Sequence, residues 1–382
     1  MTRVIIVGGG IGGLTTALAL RREGFKPEVF EQAPALLEVG AAIAVWPNAM
    51  RVLRRLGVGE AVRARGGLLE EARWLDRGGG LLKRFALPGG DVTGVALHRA
   101  DLQGALLRAL PPESVHLGKT FEGFDLESDA VRVRFAGGET EVCDVLVCAD
   151  GLHSRGRAQL LGDGEPVYRG YTVWRGIARL EHPALAPRTA SEIYGRGQRF
   201  GIGPVGMGRT GWWATANEPE SAAELPSEHQ KKLLRLFGAW RSPVAELIEA
   251  TTTETILRNS TYDRPPAARW GVGRATLLGD AAHPMTPNFG QGGCMAIEDA
   301  AVLARCLAKY ADASGALRAY ESHRRARASR VVGYSLRYGA IGQWQSPSAV
   351  RLRGALLSTI PESLLRKLLG LIFDYDAYEV EV

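Results

Sequence analysis

Cysteine is scarce in this 382-residue chain: there are four, Cys143, Cys148, Cys294 and Cys306, and none forms a Cys-x-x-Cys pair. So few exclude a disulfide-built scaffold and suit a reducing cytoplasm. The seven histidines lack any His-x₃-His spacing, so no metal is expected. A large excess of either sign of charge is absent, since 47 basic against 41 acidic residues leave +6. A surplus that small demands no nucleic-acid partner. The run Arg324, Arg325, Arg327 and Arg330 reads as a solvated helix face. A bilayer-length apolar segment is missing too. Val4 to Leu20 is uncharged over 17 residues, yet it holds five glycines and closes on Arg21-Arg22-Glu23, with no small-residue cleavage site. It reads as a strand, a glycine turn and a helix. With 46% hydrophobic residues, the composition excludes a mainly disordered chain and supplies a sizeable core.

Periodicity predicts a β-α-β opening: strand Arg3–Val7, a glycine turn, helix Leu14–Arg22 and strand Lys26–Glu31. Helices are expected at Asn48–Leu56, Arg99–Leu110, Leu225–Ala250 and Gly292–Leu307, with a long one capped by Ser314. A hairpin is expected around Asp76–Gly80, and a meander over Val115–Leu117, Phe121–Leu126 and Val131–Phe135. Buried strands are expected at Asp144–Cys148 and Arg274–Leu278, strand-rich text over Tyr168–Trp213, and an amphipathic helical tail over Ala349–Phe373, broken at Pro361. The chain reads as leaving its first domain twice and returning. Residues 1–70, 96–165 and 266–330 form that domain, 71–95 and 166–265 a substrate domain, and 331–382 a C-terminal helical region.

The strongest local signal is Gly8-x-Gly10-x-x-Gly13 between strand and helix, with Glu31 closing the second strand. The first glycine permits a tight turn, the second admits a pyrophosphate, and the third lets helix and strand pack closely. Free N–H groups at the helix start favour phosphate, and Glu31 is placed to accept from ribose hydroxyls. Two further segments follow strands: Cys148-Ala149-Asp150-Gly151-Leu152-His153-Ser154-x-x-Arg157, and Leu278-Gly279-Asp280-Ala281-Ala282-His283-Pro284-Met285-Thr286-Pro287 leading into Gly290-Gln291-Gly292-Gly293. On residues alone, Asp150 is equally a turn acid bonded to its own backbone. His283 reads as a packing or capping histidine. The Gly290–Gly293 run aims N–H donors, backed by a helix dipole, at one spot where negative charge is stabilised.

Together these motifs resemble the single-component FAD-dependent aromatic hydroxylases over nearly the whole length. The resemblance implies an α/β fold: a Rossmann-like FAD-binding domain, an inserted, mostly antiparallel substrate domain and C-terminal helices. It implies FAD as cofactor, NADPH or NADH as reductant, and O2 and a small aromatic or heteroaromatic molecule as substrates, hydroxylated through a flavin hydroperoxide. It also implies the cofactor set. Gly8, Gly10, Ile11, Gly12 and Gly13 would meet the pyrophosphate, Glu31 the ribose, and Arg99 the flavin side. Asp150 belongs to the family's shared FAD and NAD(P)H motif, Asp280 meets the ribityl or pyrophosphate region, and Pro287, Gly290, Gly292 and Gly293 face the ring. A monomer or homodimer without membrane contact is expected. An isoprenoid epoxidase of the same fold, in the style of zeaxanthin epoxidases, and a non-catalytic flavin-binding protein are the alternatives.

Substrate contacts are expected from Tyr171, Trp174, Arg175, Tyr194, Arg199, Phe200, Trp212 and Trp213, with Arg199 and then Arg175 orienting an oxygen-rich substrate. The segment Val39 to Asn48 looks much like the bacterial FAD-dependent urate hydroxylases, and Arg199 matches their substrate arginine. That branch carries an aspartate at Asn288 and a tyrosine at Gly211. Asn288 lends an arginine no negative charge, and Gly211 no phenol. Urate is therefore expected to be a poor substrate, and a flatter, more apolar hydroxylated aromatic beside Trp212 and Trp213 a better one.

Overall fold

The computed structural model describes residues 2–35, 41–90, 92–220 and 224–382; Val39 and Gly40 of the urate-hydroxylase-like segment lie outside them. A six-stranded sheet runs in the order Gly271–Val272, Ala275–Leu277, Val145–Cys148, Arg3–Val7, Lys26–Phe30, Val115–His116. Its pairs are parallel except at the Gly271–Val272 edge. Strands buried on both faces need continuous apolar text, and Val4 to Val7 and Val145 to Cys148 are wholly buried. The helices Ile11–Arg22 and Gly292–Lys309 pack together over this sheet.

Val115–His116 corrects the sequence reading. It adds to the parallel sheet beside Lys26–Phe30, and the meander is instead Phe121–Leu126, Val131–Phe135 and Thr140–Cys143. The 3₁₀ turn Pro112–Ser114 delivers the chain to that edge.

Facing the parallel layer is a seven-stranded sheet in the order Leu257–Asp263, Val167–Ala178, Arg209–Asn217, Gln198–Gly206, Thr189–Tyr194, Glu71–Asp76, Leu81–Ala86. Only the Thr189–Tyr194 and Glu71–Asp76 pair is parallel. One face of this sheet packs on the helices Pro226–Phe237 and Val244–Glu249. Those two replace the single helix expected over Leu225–Ala250, because Gly238 and Pro243 interrupt it. The other face looks toward the nucleotide layer through Ala42–Val45, Gly67–Leu69 and Gly94–His98.

The helix Ala313–Gly342 is capped by Asp312, which accepts from the N–H groups of Ser314 and Gly315, and not by Ser314. Its basic run is solvated only in part, at exposed Arg330. Arg324 is fully buried between Glu298 and Asp299, both at 2.7 Å, and Arg327 sits on Glu298 and 3.8 Å from the Tyr375 ring. In the tail, Arg353 is buried and donates to the Gly342 carbonyl at 2.6 Å. Leu365, Leu369, Ile372 and Phe373 pack on Trp74 and Phe85, while Leu352, Leu356, Leu364, Leu368 and Leu371 stay exposed. Among the described residues no helix is long and apolar enough to cross a membrane.

Candidate active site

The glycine turn is built as its spacing requires. Gly8 has φ +107°, a region L side chains avoid, and a Cβ on Gly13 would stand 1.9 Å from the Gly8 carbonyl oxygen. Gly10, by contrast, has nothing within 4 Å of where its Cβ would be. The helix beginning at Ile11 has no side-chain cap and no acid in its first turn. An uncapped N-terminus beside open space fits a pyrophosphate. Glu31 accepts from the Gly9 N–H at 2.6 Å and from the Ala33 N–H at 2.8 Å, which fixes its carboxylate at the rim. Gln103 pins the same turn by donating to the Gly9 carbonyl at 3.0 Å, a contact no motif announced.

Asp150 spends its carboxylate locally, accepting from the Ser154 hydroxyl and from the Gly156 N–H, so here the turn-acid reading describes the side chain. Burial raises its pKa, and these two donors oppose the rise. What Asp150 offers the glycine turn is backbone: a Cβ on Gly8 would fall 3.1 Å from its nitrogen. Within the same motif Arg157 is buried and clamps the second loop, donating to the carbonyls of Ala281 and Ala282 at 2.9 and 2.8 Å.

That second loop is anchored from below by Asp299, which accepts from the Gly279 N–H at 3.1 Å, from Arg324 at 2.7 Å and pairs with His283 at 2.6 Å. His283 thus has a partner that the sequence reading did not find. Burial works to raise the Asp299 pKa, but His283 and Arg324 outweigh it and hold it at about 2. With the loop gripped at both ends, Asp280 projects into a deep cleft, enclosed by protein yet reached by solvent. Burial raises its pKa, opposed by His283 and Arg99.

Arg99, at the start of the helix Arg99–Arg108, lies close enough to Asp280 and Arg175 to influence both. Pro287 opens the 3₁₀ turn Pro287–Phe289, and Gly290 follows at φ +60°. The helix from Gly292 again has neither side-chain cap nor early acid. Among the described residues the buried Trp46 Nε1 and Gln291 Nε2 donors beside this turn have no partner. Unpaired buried donors mark a place where a polar group belongs. The described residues therefore fit FAD along one line: adenosine at Glu31, pyrophosphate at Gly10, and the ring between Asp280 and Gly290–Gly293.

Strand alternation sorts the expected substrate residues. Trp174, Phe200 and Trp212 point away from the cleft into the helix-covered core, where Trp212 donates to Thr251 at 2.8 Å. Trp212 is thus corrected from substrate neighbour to core. Tyr171, Arg175, Arg199 and Trp213 lie on the cleft face. Arg199 is 1% exposed and fully engaged: Nε donates to Gln343 at 3.0 Å, Nη1 to Glu192 at 3.0 Å and Nη2 to Asn288 at 2.5 Å. Burial opposes its charge, and Glu192 together with Tyr171, Tyr194 and Tyr338 more than restores it. Glu192 also accepts from the Tyr338 hydroxyl at 2.7 Å. Sequence reasoning missed Glu192 because only strand register brings it there.

The dinucleotide layer, the mostly antiparallel sheet and the cleft between them have the architecture of the flavin-dependent monooxygenases. Residues 1–335 match the family described as FAD binding domain, and the chain belongs to that family. It is 44% identical over 360 residues, 93% of both chains, to the aurachin C monooxygenase/isomerase of Stigmatella aurantiaca. To the FAD-dependent urate hydroxylase of Klebsiella pneumoniae it is 37% identical over 329 residues, 84% of this chain and 85% of that one. The crystal structure of Klebsiella pneumoniae HpxO with FAD and uric acid superposes at a TM-score of 0.91 with 31% identity, covering 97% of this chain and 96% of that one.

Proposed function

We propose that this enzyme hydroxylates a planar, electron-rich aromatic or heteroaromatic molecule, with NADH or NADPH as reductant, in a reducing cytoplasm. The observation that carries this reading is the cleft floor. A Cβ on Gly201 would fall 2.1 Å from the Trp213 indole, so the ring lies flat on the sheet, and beside it Gly203 has nothing within 4 Å. A flat, half-buried indole next to open space is a stacking platform.

When bound, FAD supplies the electron transfer and the oxygen chemistry. The chain's own residues bind and orient. Gly8 to Gly13 would hold the pyrophosphate and Glu31 the ribose, while Arg99 and Asp280 would flank the ribityl chain. The N–H groups from Gly290 to Gly293 would stabilise negative charge on the ring. Arg199 acts as a positioning residue, tying the sheet to the flavin-facing turn through Asn288.

The test is oxygen uptake and NAD(P)H oxidation with a panel of phenols, hydroxybenzoates, hydroxyquinolines and urate. Phenolic or quinolinol-type compounds should accelerate both, and urate should be poor: a Cβ on Gly211 would already meet Val205 at 2.5 Å and Ala42 at 2.8 Å, leaving no room for a tyrosine. Rapid coupled turnover of urate alone would overturn the substrate reading, and no stimulation by any aromatic would overturn the hydroxylase reading.

A further inference from the structure

We infer that Asn48 is a positioning residue for the flavin ring: acting through Gln291, it holds the N–H groups at the start of the helix Gly292–Lys309 in the direction that stabilises negative charge on the reduced ring. This depends on FAD as the cofactor and not on the substrate proposed above. It goes further by naming a residue that sets how readily the bound flavin takes up electrons.

The flavin-facing run has almost nothing of its own to hold it. Gly290, Gly292 and Gly293 carry no side chains, and the helix they open has no side-chain cap. The first N–H groups of a helix lack partners within it, so their direction must be fixed from outside. Only Gln291 in this run offers a handle, and it is 1% exposed. Its amide oxygen accepts from Asn48 Nδ2 at 2.9 Å, and the same nitrogen donates to Glu298 Oε1 at 2.6 Å. Gln291 and Glu298 lie seven residues apart, two turns along one side of the helix. Asn48, wholly buried, thus staples the residue at the helix start to a point two turns inside. That point is fixed, because Glu298 is itself buried and held by Arg324 and Arg327, each at 2.7 Å.

Polarity runs outward from the ion pair. Burial works to raise the Glu298 pKa, but Arg324 and Arg327 outweigh it and hold it below the usual carboxylate range. An ionised carboxylate only accepts, so Asn48 must turn its NH2 inward, and Gln291 must meet that NH2 with its oxygen. The staple therefore has one orientation. It is also the end of a longer brace. A Cβ on Gly293 would stand 3.1 Å from Ile43, the Trp46 N–H reaches Cys294 Sγ at 3.4 Å, and Cys294 Sγ reaches the Ala44 carbonyl at 3.5 Å. Trp46 is backed in turn by Phe373 of the C-terminal helix, the two rings stacked with centroids 4.5 Å apart. Donors fixed in advance stabilise developing charge because nothing has to reorganise as it forms. Loosening them costs the reduced ring more than the oxidised one, and the reduction potential falls.

The test is the reduction potential of the FAD-loaded protein, measured without oxygen by equilibration against a reference dye. Asn48→Leu should shift the reduction equilibrium about tenfold toward oxidised flavin, a fall of about 30 mV for a two-electron couple. Affinity for oxidised FAD should change far less, since the Gly8–Gly13 turn and Glu31 are untouched. Gln291→Met cuts the same link from the other end and leaves the Asn48–Glu298 bond in place. It should give the same fall, which covers the case in which Asn48→Leu does not fold. Because both variants act through one bond, the double variant should fall no further than either alone. A merely structural Asn48 would lower Tm and leave the potential of the flavin-loaded protein where it was. An unchanged potential in Gln291→Met, or additive falls in the double variant, would overturn the inference while leaving the hydroxylase reading intact. A wild type that binds no FAD overturns both.

Discussion

Arg324→Met tests whether the cofactor loop is held from inside the protein. Arg324 lies buried between two carboxylates that are themselves fully buried, Glu298 and Asp299, each at 2.7 Å. Removing one partner of a buried ion pair costs about 3–5 kcal/mol, since the other charge is stranded. Here neither acid is stranded completely: Glu298 keeps Arg327 at 2.7 Å and Asn48 at 2.6 Å, and Asp299 keeps His283 at 2.6 Å. The lower end, about 3 kcal/mol, is therefore expected. Unfolding entropy of about 2.1 cal/mol/K per residue amounts to roughly 0.8 kcal/mol/K for this chain, so Tm should fall by about 4 °C. Arg330→Met is the control, on the same helix but exposed, and should shift Tm by less than about 1 °C. The assay is thermal unfolding of the FAD-loaded proteins, followed by circular dichroism and by release of flavin fluorescence. Flavin release in Arg324→Met should precede the loss of helix, because Asp299 also holds Gly279. Equal melting of the two variants would refute the reasoning.

Two further outcomes follow from the same geometry. Gly10→Val should stay folded and lose its yellow colour, whereas Gly13→Val should fail to accumulate as folded protein: the first position is open and extended at φ −73°, which any L residue adopts, and the second puts a Cβ 1.9 Å from a backbone oxygen; soluble yield and visible flavin absorbance separate them. Asp299, held at about 2 against an ordinary 3.8, contributes stability that is complete above its unfolded pKa and is lost as pH falls through 3.8 toward 2. Urea midpoints measured down that window should therefore drop more steeply for wild type than for Asp299→Asn.

Much of the nucleotide layer was legible because its constraints are local. A glycine at φ +107°, an uncapped helix start and an acid ending the next strand all lie within residues 3–31, and such spacing is what a motif records. The substrate sheet was legible in kind but not in detail. Naming both Trp212 and Trp213 as substrate neighbours ignored period two, under which consecutive residues cannot share a face. Arg324 was misread for a related reason. A run of arginines at helical spacing looks solvated when the helix is considered alone, and its two acids sit some 25 positions earlier on another helix. Long-range pairs of this kind leave no mark in any local window.

The arginine at 199 shows how a missing residue in one place is balanced from another. Judged by position 288 alone, asparagine in place of aspartate leaves a buried guanidinium without a counter-charge. The structure supplies it from the adjacent strand. Tyr194 pairs with Arg199, so Glu192, two residues along on the same face, stands diagonally across and closes the ion pair at 3.0 Å. Asn288 is then free to act as a neutral connector, accepting from Arg199 while donating to Thr286 and the Ser335 carbonyl, with the Tyr171 hydroxyl also within reach of its amide. Moving the carboxylate from the flavin-facing turn to the sheet has a consequence for selectivity. The Arg199 charge is cancelled within the sheet, and the Pro287–Phe289 turn and the glycines after it carry no acid of their own. The Trp213 ring lies beside this neutralised arginine, its centroid 5.2 Å from the Arg199 guanidinium carbon. A cleft floor of indole and glycine beside an arginine that is already paired offers a flat ring a surface to stack on and few free partners for the multiple hydrogen bonds a purine requires, which is the ground for expecting urate to be poor.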